Sequence, residues 1–148
     1  MTTYVNNKKV RFNYEILETF EAGLVLFGYE AKAVRKGKAS LQGAHIIVRG
    51  REAYLVSATI SHYQEKNTPT DYEPERPRKL LLSRKELDVL EVKEAQRGLT
   101  VVPLRLYNAG RNIKLEIAVA RGKKKHDKRE SLKARDTKRD IERTLKNQ

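Results

Sequence analysis

The sequence contains no cysteine, no tryptophan, a single methionine and no long apolar segment. Without cysteine the chain can form neither disulfides nor thiolate metal sites, which is typical of proteins in a reducing cytosol. No apolar run approaches the roughly 20 residues that a membrane-spanning helix needs. The first residues, MTTYVNNKK, also lack the apolar segment of a signal peptide. We therefore expect a cytoplasmic protein that has no membrane partner.

Positive charge is what the sequence has in excess. Its 148 residues include 32 lysines and arginines against 19 acidic residues, a formal net charge of +13. Residues 121–148 hold 12 of the basic residues and 5 of the acidic ones, so this segment carries +7. A small chain with this charge favours nucleic acid as its partner. The distribution of apolar residues predicts a body at 1–121 that can bury one core, followed by a basic C-terminal arm at 122–148 that cannot fold alone.

Alternating apolar side chains predict strands in the body. The clearest pair flanks a turn at residues 108–110, and its two expected inward faces are Val102, Leu104, Leu106, and Ile113, Leu115, Ile117, Val119. Lys114 is then expected on the outer face, and Pro103 at an edge or a bulge. Earlier strands are predicted at residues 14–27, 44–49 and 52–58. Gly23 lies where the first of them is expected to bend or bulge.

Two helices are predicted between these strands. Residues 28–37 form a short helical segment bounded by glycines, and Gly37 suits a left-handed C-terminal cap. Ser83 and Glu86 have capping-box spacing at the start of the second helix, which Gly98 ends. Residues 1–13 are expected to be a loose lead-in, and residues 61–79, with three prolines, a long loop.

The order of these elements fits a mainly β fold, an OB-like closed β-barrel with two helices, whose sheet face and loops can bind nucleic acid. The arm has helix signals, such as capping-box spacing between Asp127 and Glu130. Its charged i, i+3 pairs contribute only about 0.2–0.5 kcal/mol each. We therefore expect the arm to be disordered when free and helical when bound to a polyanion.

The sequence offers little for catalysis. Glu15, Glu18 and Glu21 are not expected to share one face of their strand, and there is no phosphate-binding glycine loop. The histidines fall in a strand, a loop and the arm, at positions His45, His62 and His126. We therefore expect no metal, no cofactor and no enzymatic activity. Tyr14 and Tyr29 are the tyrosines best placed to stack on bases.

Five segments then stand in a specific order along nearly the whole chain. They are NYEILETFEAG (13–23), GYEAKAVRKGKASL (28–41), RPRKLLL (76–82), LTVVPLRLY (99–107) and ARGKKKHDKR (120–129). In this order they resemble the SsrA-binding protein (SmpB) family, the partners of tmRNA in bacterial ribosome rescue. The residues alone also allow a structural ribosomal protein or an RNA chaperone with an OB-like body.

The resemblance implies a body that holds the tRNA-like domain of tmRNA and an arm that lies in the empty mRNA path and decoding centre of a stalled ribosome. We expect a monomer when the protein is free. The implied RNA contacts of the body are Tyr14, Glu21, Leu81 and Lys114, with Lys32, Arg35, Arg78 and Lys79 as basic support. The implied arm motif is Gly122, Lys123, Lys124, His126, Asp127, Lys128 and Arg129. Phe12 and Tyr72 stand where the family usually has histidine, and Thr137 replaces a frequent aromatic residue.

Overall fold

The computed structural model describes residues 2–63 and 68–123, and this part of the chain forms nine strands and three helices. The strands are β1 (Thr3–Asn6), β2 (Tyr14–Leu24), β3 (Ala39–Ser40), β4 (His45–Arg49), β5 (Glu52–Val56), β6 (Thr59–Ile60), β7 (Arg78–Leu81), β8 (Leu99–Ala109) and β9 (Asn112–Gly122). The helices are α1 (Lys8–Asn13), α2 (Gly28–Arg35) and α3 (Arg84–Ala95). The predicted mainly β class is confirmed. Across the described residues no helix combines the length and the apolar character needed to cross a membrane.

Seven strands form one antiparallel sheet in the order β1-β8-β9-β2-β7-β5-β4, and β3 pairs separately with β6. β9 is the most extensively paired strand, because it pairs with β8 on one side and β2 on the other along most of its length. The β2 ladder runs from Tyr14 opposite Gly122 to Gly23 opposite Lys114. This register decides which predicted binding residues become neighbours.

The main core covers one face of the sheet and includes Val34 of α2 and Leu90 of α3. Its strand residues include Ala22, Ile46, Leu55, Leu80, Leu106, Leu115, Ile117 and Val119. A smaller cluster contains Val10 of α1 with Val102, Leu104, Ala118 and Ala120. Successive residues of β9 thus contribute to different clusters, and since successive strand side chains point to opposite faces, this end of the sheet is buried on both sides. We call the face opposite the main core the outer face.

Two bulges change the predicted faces. The β8 register shifts between Pro103 and Arg105, which confirms a bulge position for Pro103. The shift places Leu104 with the smaller cluster and Leu106 with the main core, so the prediction that they share one face is wrong. In β2 the register shifts between Ile16 and Glu18, and not at Gly23 as predicted. A bulge inserts one residue and reverses the alternation that simple counting assumes.

Both predicted helices are confirmed, with the caps at Gly37 and Ser83, but α3 ends at Ala95 and not at Gly98. Ser83 Oγ accepts a hydrogen bond from the Glu86 N–H at 3.2 Å, and Glu86 Oε1 accepts one from the Ser83 N–H at 3.0 Å. Gly37 has φ +76°, the left-handed conformation expected after the end of α2. The sequence alone predicts these two caps because capping depends on residues within one turn of the helix end.

The predicted loose lead-in is wrong, because residues 3–13 form β1 and a third helix, α1. Asn7 joins them to the body: its side-chain amide donates to the carbonyls of Leu41 (3.2 Å) and Pro103 (3.0 Å). Its main-chain N–H donates to the Leu104 carbonyl at 2.8 Å. These hydrogen bonds join residues far apart in the chain, so no local sequence pattern predicts them. They order a segment that has few apolar side chains.

The predicted barrel is not fully closed. Within the described residues the sheet ends at β1 and β4, which do not pair with each other. β4 approaches β8, but the β8 edge is taken by β1 opposite residues 105–107 and by Asn7 at Leu104. The core is therefore closed by side-chain packing and not by a continuous hydrogen-bonded ladder.

Candidate nucleic-acid interface

Three of the predicted RNA-contacting residues converge around Gly23 on the outer face. Gly23 is paired with Leu81 of β7 on one side and with Lys114 of β9 on the other. Glu21 Oε1 lies 3.7 Å from Lys114 Nζ. A Cβ added at Gly23 would lie 3.1 Å from the Leu81 Cβ, so glycine leaves room for Leu81 to lie across the strand. The arrangement joins an apolar side chain, a carboxylate and an ammonium group on one surface.

Tyr107, which the sequence analysis did not single out, adjoins this group. It lies opposite Lys114 and is only 2% exposed. Burial, and then a hydrogen bond to Glu21, raise the pKa of Tyr107 to about 12. Tyr107 and Lys114, which are paired across β8 and β9, therefore both lie beside the Glu21 carboxylate. Counting back from the Ala109–Asn112 pair that closes the turn would have predicted the Tyr107–Lys114 pairing.

The outer-face cations of the sheet are matched by carboxylates. Lys79 of β7 lies 3.4 Å from Glu52, whose other oxygen accepts a hydrogen bond from Tyr54. Arg105 Nε lies 3.6 Å from Glu116, and its guanidinium stacks on the Tyr107 ring at 4.1 Å. This part of the sheet is thus close to neutral despite its many charged side chains.

The cations of helix α2 differ from those of the sheet because they lack carboxylate partners in the described part of the chain. Lys32 and Arg35 are exposed, and within residues 2–63 and 68–123 neither forms an ion pair. Arg35 Nη2 donates to the carbonyl of Arg111, in the turn between β8 and β9, at 3.1 Å. The same hairpin contributes Lys114 to a groove with Leu81. The end of α2 therefore brings an exposed guanidinium to the border of the Glu21–Leu81–Lys114 group.

Arg78 does not lie on this surface. It is fully buried and forms an ion pair with the equally buried Glu30 of α2, with Nη2 2.7 Å from Oε2. In this conformation its guanidinium cannot contact RNA, so the expectation of direct basic support is wrong for Arg78. The alternation of β7 explains why: Arg78 and Leu80 point inward while Lys79 and Leu81 point outward.

We call Glu30, Tyr72, Arg76 and Arg78 the Glu30 cluster. Arg76 forms a second ion pair with Glu30, and the Tyr72 hydroxyl lies 3.0 Å from Glu30 Oε2 and accepts from Arg78 Nη2 at 2.9 Å. Burial raises the pKa of Glu30, but hydrogen bonds from Arg76, the Phe27 N–H and Arg78, with the charge of Arg78, outweigh burial and lower it overall. Burial and the bond to Glu30 raise the pKa of Tyr72 to about 12. The cluster binds α2 to β7 and to the chain around residue 72.

Tyr14 lies at the opposite end of β2. It is paired with Gly122 and lines a groove with Lys9, Asn13 and His45. The Lys123 N–H donates to the Asn13 carbonyl at 2.9 Å, so the chain leaves the body beside Tyr14. The structure does not bring Tyr14 together with Glu21, Leu81 and Lys114. The predicted arm residues Lys124, His126, Asp127, Lys128 and Arg129 lie outside the described residues.

The described part of the chain holds no group of three or more histidine or acidic side chains placed to bind a metal ion. His45 lies in β4 and His62 follows β6, where its ring contacts Tyr72 at 5.3 Å. The arrangement around Gly23 suits non-covalent binding: polar groups and the exposed Leu81 side chain lie on the sheet, bordered by the exposed cations of α2.

These features define a small, basic, OB-like β domain with charged and apolar side chains grouped on the outer face of its sheet. The chain belongs to the SmpB family, whose model, described as SmpB protein, matches residues 4–147. It is 49% identical over 142 residues to the SsrA-binding protein of Trichormus variabilis, covering 96% of this chain and 92% of that protein. It is also 49% identical over 144 residues to the SsrA-binding protein of a Synechococcus species, covering 97% and 94%.

The fold is similar to a solved chain from a structure described as "tmRNA-SmpB: a journey to the center of the bacterial ribosome". The TM-score is 0.68 at 39% sequence identity, with 86% of this chain and 92% of the other covered. The resemblance read from the five sequence motifs is thereby confirmed.

Proposed function

We propose that this protein binds the tRNA-like domain of tmRNA and delivers it to stalled ribosomes for trans-translation, with rescue of the ribosome and tagging of the unfinished peptide. The names of its relatives and of the similar structure support tmRNA and the bacterial ribosome as partners. The observation that carries the proposal is the convergence of Glu21, Leu81 and Lys114 around Gly23 on the outer face of the sheet. The proposal places the protein in the cytoplasm, where ribosomes translate.

Within this proposal the body, residues 1–121, divides its contacts among α2, the outer face of the sheet and Tyr14. Lys32 and Arg35 of α2, which have no ionic partner in the described residues, contact backbone phosphates. Leu81 and Lys114 contact nucleotides over the sheet, and Lys79 adds positive potential beside them. Glu21, which lies beside Tyr107, orients Lys114 or accepts a hydrogen bond from a base amino group. Tyr14 makes a separate contact near the start of the arm.

The arm, residues 122–148, then begins at a distance from the Glu21–Leu81–Lys114 group. Tyr14 and Gly23 are nine residues apart along β2, a separation of roughly 25–30 Å for an extended strand. The chain leaves the body at the Tyr14 end, away from Leu81 and Lys114. We propose that the basic residues 123–129 enter the empty mRNA path, where a helix forms, and that His126 stacks on a decoding-centre base.

The role proposed here is binding without catalysis, and it needs no cofactor. The test is to recover the RNA that copurifies with the full-length protein and to sequence it. One dominant RNA with a tRNA-like domain is the expected result. A broad spread of ribosomal RNA fragments would favour a structural ribosomal protein or an RNA chaperone instead.

A further inference from the structure

Three large apolar side chains remain exposed along β7 and the segment that leads from β2 to α2. In that segment Leu24 and Leu26 pack against the main core, and Val25 and Phe27 alternate with them. Leu81 is 56% exposed, Phe27 49% and Val25 46%. Leu81 lies opposite Gly23, and the Val25 N–H donates to the Lys79 carbonyl at 3.0 Å, which continues the β2–β7 ladder by one step. Val25 and Leu81 therefore lie on the same face, two rows apart. Phe27 follows Val25 by two residues, directly before α2. We call Val25, Phe27 and Leu81 the apolar strip.

Phe27 is held in place although half of it is exposed. The Arg76 guanidinium stacks 4.1 Å from the centre of its ring, and the Tyr29 ring lies 5.5 Å away. Tyr29 in turn packs edge-on against Tyr72, and both Arg76 and Tyr72 bind Glu30. An aromatic ring fixed in this way loses little conformational entropy when a flat partner stacks on it. A contiguous group of exposed apolar side chains marks an interaction site more often than isolated exposed apolar side chains do.

The charge around the apolar strip limits the kind of partner. Lys114, Lys79 and Arg76 border it, but each is already paired with a carboxylate: Glu21 at 3.7 Å, Glu52 at 3.4 Å and Glu30. Such a surface binds phosphates less well than Lys32 and Arg35 of α2, which form no ion pair with the described residues. It suits the uncharged faces of unpaired bases, while Glu21 and Glu52 can accept hydrogen bonds from base amino groups.

We propose that the apolar strip is a stacking surface for unpaired bases of the bound RNA, with Phe27 as its stacking residue. This inference rests on the proposed function, because it continues the Leu81–Lys114 contact along β2 toward α2. The apolar strip then binds bases, and the cations of α2 bind the backbone. The two contributions differ in salt dependence, since only phosphate contacts release counterions.

The test measures the affinity of the full-length protein for a tRNA-like-domain transcript at several KCl concentrations. Phe27→Ala should weaken binding by about fivefold to 100-fold at every concentration, the loss typical of one stacked base, with an unchanged salt slope. Phe27→Tyr should restore most of the affinity. The double variant Lys32→Gln/Arg35→Gln should instead reduce the slope. Val92→Ala, at a 60% exposed position of α3, is the matched control and should change neither quantity.

The outcomes separate the two proposals. If Phe27→Ala binds the transcript normally while Lys114→Ala binds it weakly, the apolar strip has no base contact and the proposed function stands. If both variants bind normally, the proposed function fails at this surface. If Phe27→Ala changes the NMR signals of residues 124–148 and leaves RNA affinity unchanged, the apolar strip is covered by the arm of the same chain and the stacking proposal is overturned. Thermal unfolding of each variant confirms that it is folded.

Discussion

Arg78 and Glu30 form an ion pair in which neither side chain has any exposed surface, with Nη2 and Oε2 2.7 Å apart. Arg78 Nη1 also donates to the Ala58 carbonyl at 2.9 Å, and Glu30 Oε1 accepts from the Phe27 N–H at 2.9 Å. Buried charges persist only when they are paired and hydrogen-bonded in this way. The pair therefore fixes α2, which presents Lys32 and Arg35, relative to β7, which presents Lys79 and Leu81.

Glu30→Gln should destabilise the protein by about 3–5 kcal/mol, because the change leaves the Arg78 charge buried without its counter-charge. Denaturant unfolding monitored by circular dichroism measures the difference. Glu52→Gln is the control, since Glu52 pairs with Lys79 at the surface and should have little effect. Equal stabilities for the two variants would show that the Glu30 cluster does not hold the fold.

The stability of the protein should fall in acid because of Glu30. Its pKa in the folded protein lies below the ordinary value of 4.5, so protonation costs more in the folded than in the unfolded state. The contribution is fully present above pH 4.5 and is lost as the pH falls through the lowered folded pKa. Unfolding free energies measured from pH 6 to pH 3 should therefore decrease more steeply for the native protein than for Glu30→Gln. Parallel curves would contradict this assignment.

Lys114→Ala should weaken binding of the tRNA-like domain by about tenfold or more at low salt, the loss expected for a charged hydrogen bond. Its side chain lies on the outer face, so the fold should remain stable. Leu115→Ala is the matched neighbour: it empties a fully buried site and should cost about 2–5 kcal/mol of stability. Binding assays and thermal melts of both variants test this. If Lys114→Ala melts as early as Leu115→Ala, the assignment of Lys114 to a binding surface is wrong.

Alanine at Lys123, Lys124, His126 and Arg129 should leave tmRNA binding intact and abolish peptide tagging on stalled ribosomes. The reason is that the proposed tmRNA contacts lie on the body, while these residues are proposed to enter the empty mRNA path. A reconstituted translation reaction with a truncated message measures tagging, and a binding assay with isolated tmRNA provides the control. Undiminished tagging by this variant would remove the arm from the mechanism. The expectation that the free arm is disordered is tested separately by NMR of the full-length protein.

Local sequence pattern determined the elements whose signals lie within a few residues. The alternation of residues 113–119 predicted β9, and the capping box at Ser83 predicted the start of α3. The motif order predicted the family, and with it the residues that meet at Gly23. The predictions of β9 and α3 succeeded because strand alternation and helix capping are short-range properties.

The tertiary structure decided the features that short-range sequence patterns cannot predict. The bulge after Pro103 put Leu104 and Leu106 on different faces, and long-range hydrogen bonds from Asn7 ordered β1 and α1. Arg78 belongs to a basic sequence motif, so it is expected at the surface. It is buried instead, because it pairs with the carboxylate of Glu30, 48 residues away in the chain. Tyr107 influences Glu21 for a similar reason: the two residues, far apart in the chain, come together only because β2 and β8 flank β9. Whether a charged side chain faces water or the core depends on partners that only the folded chain brings within hydrogen-bond distance.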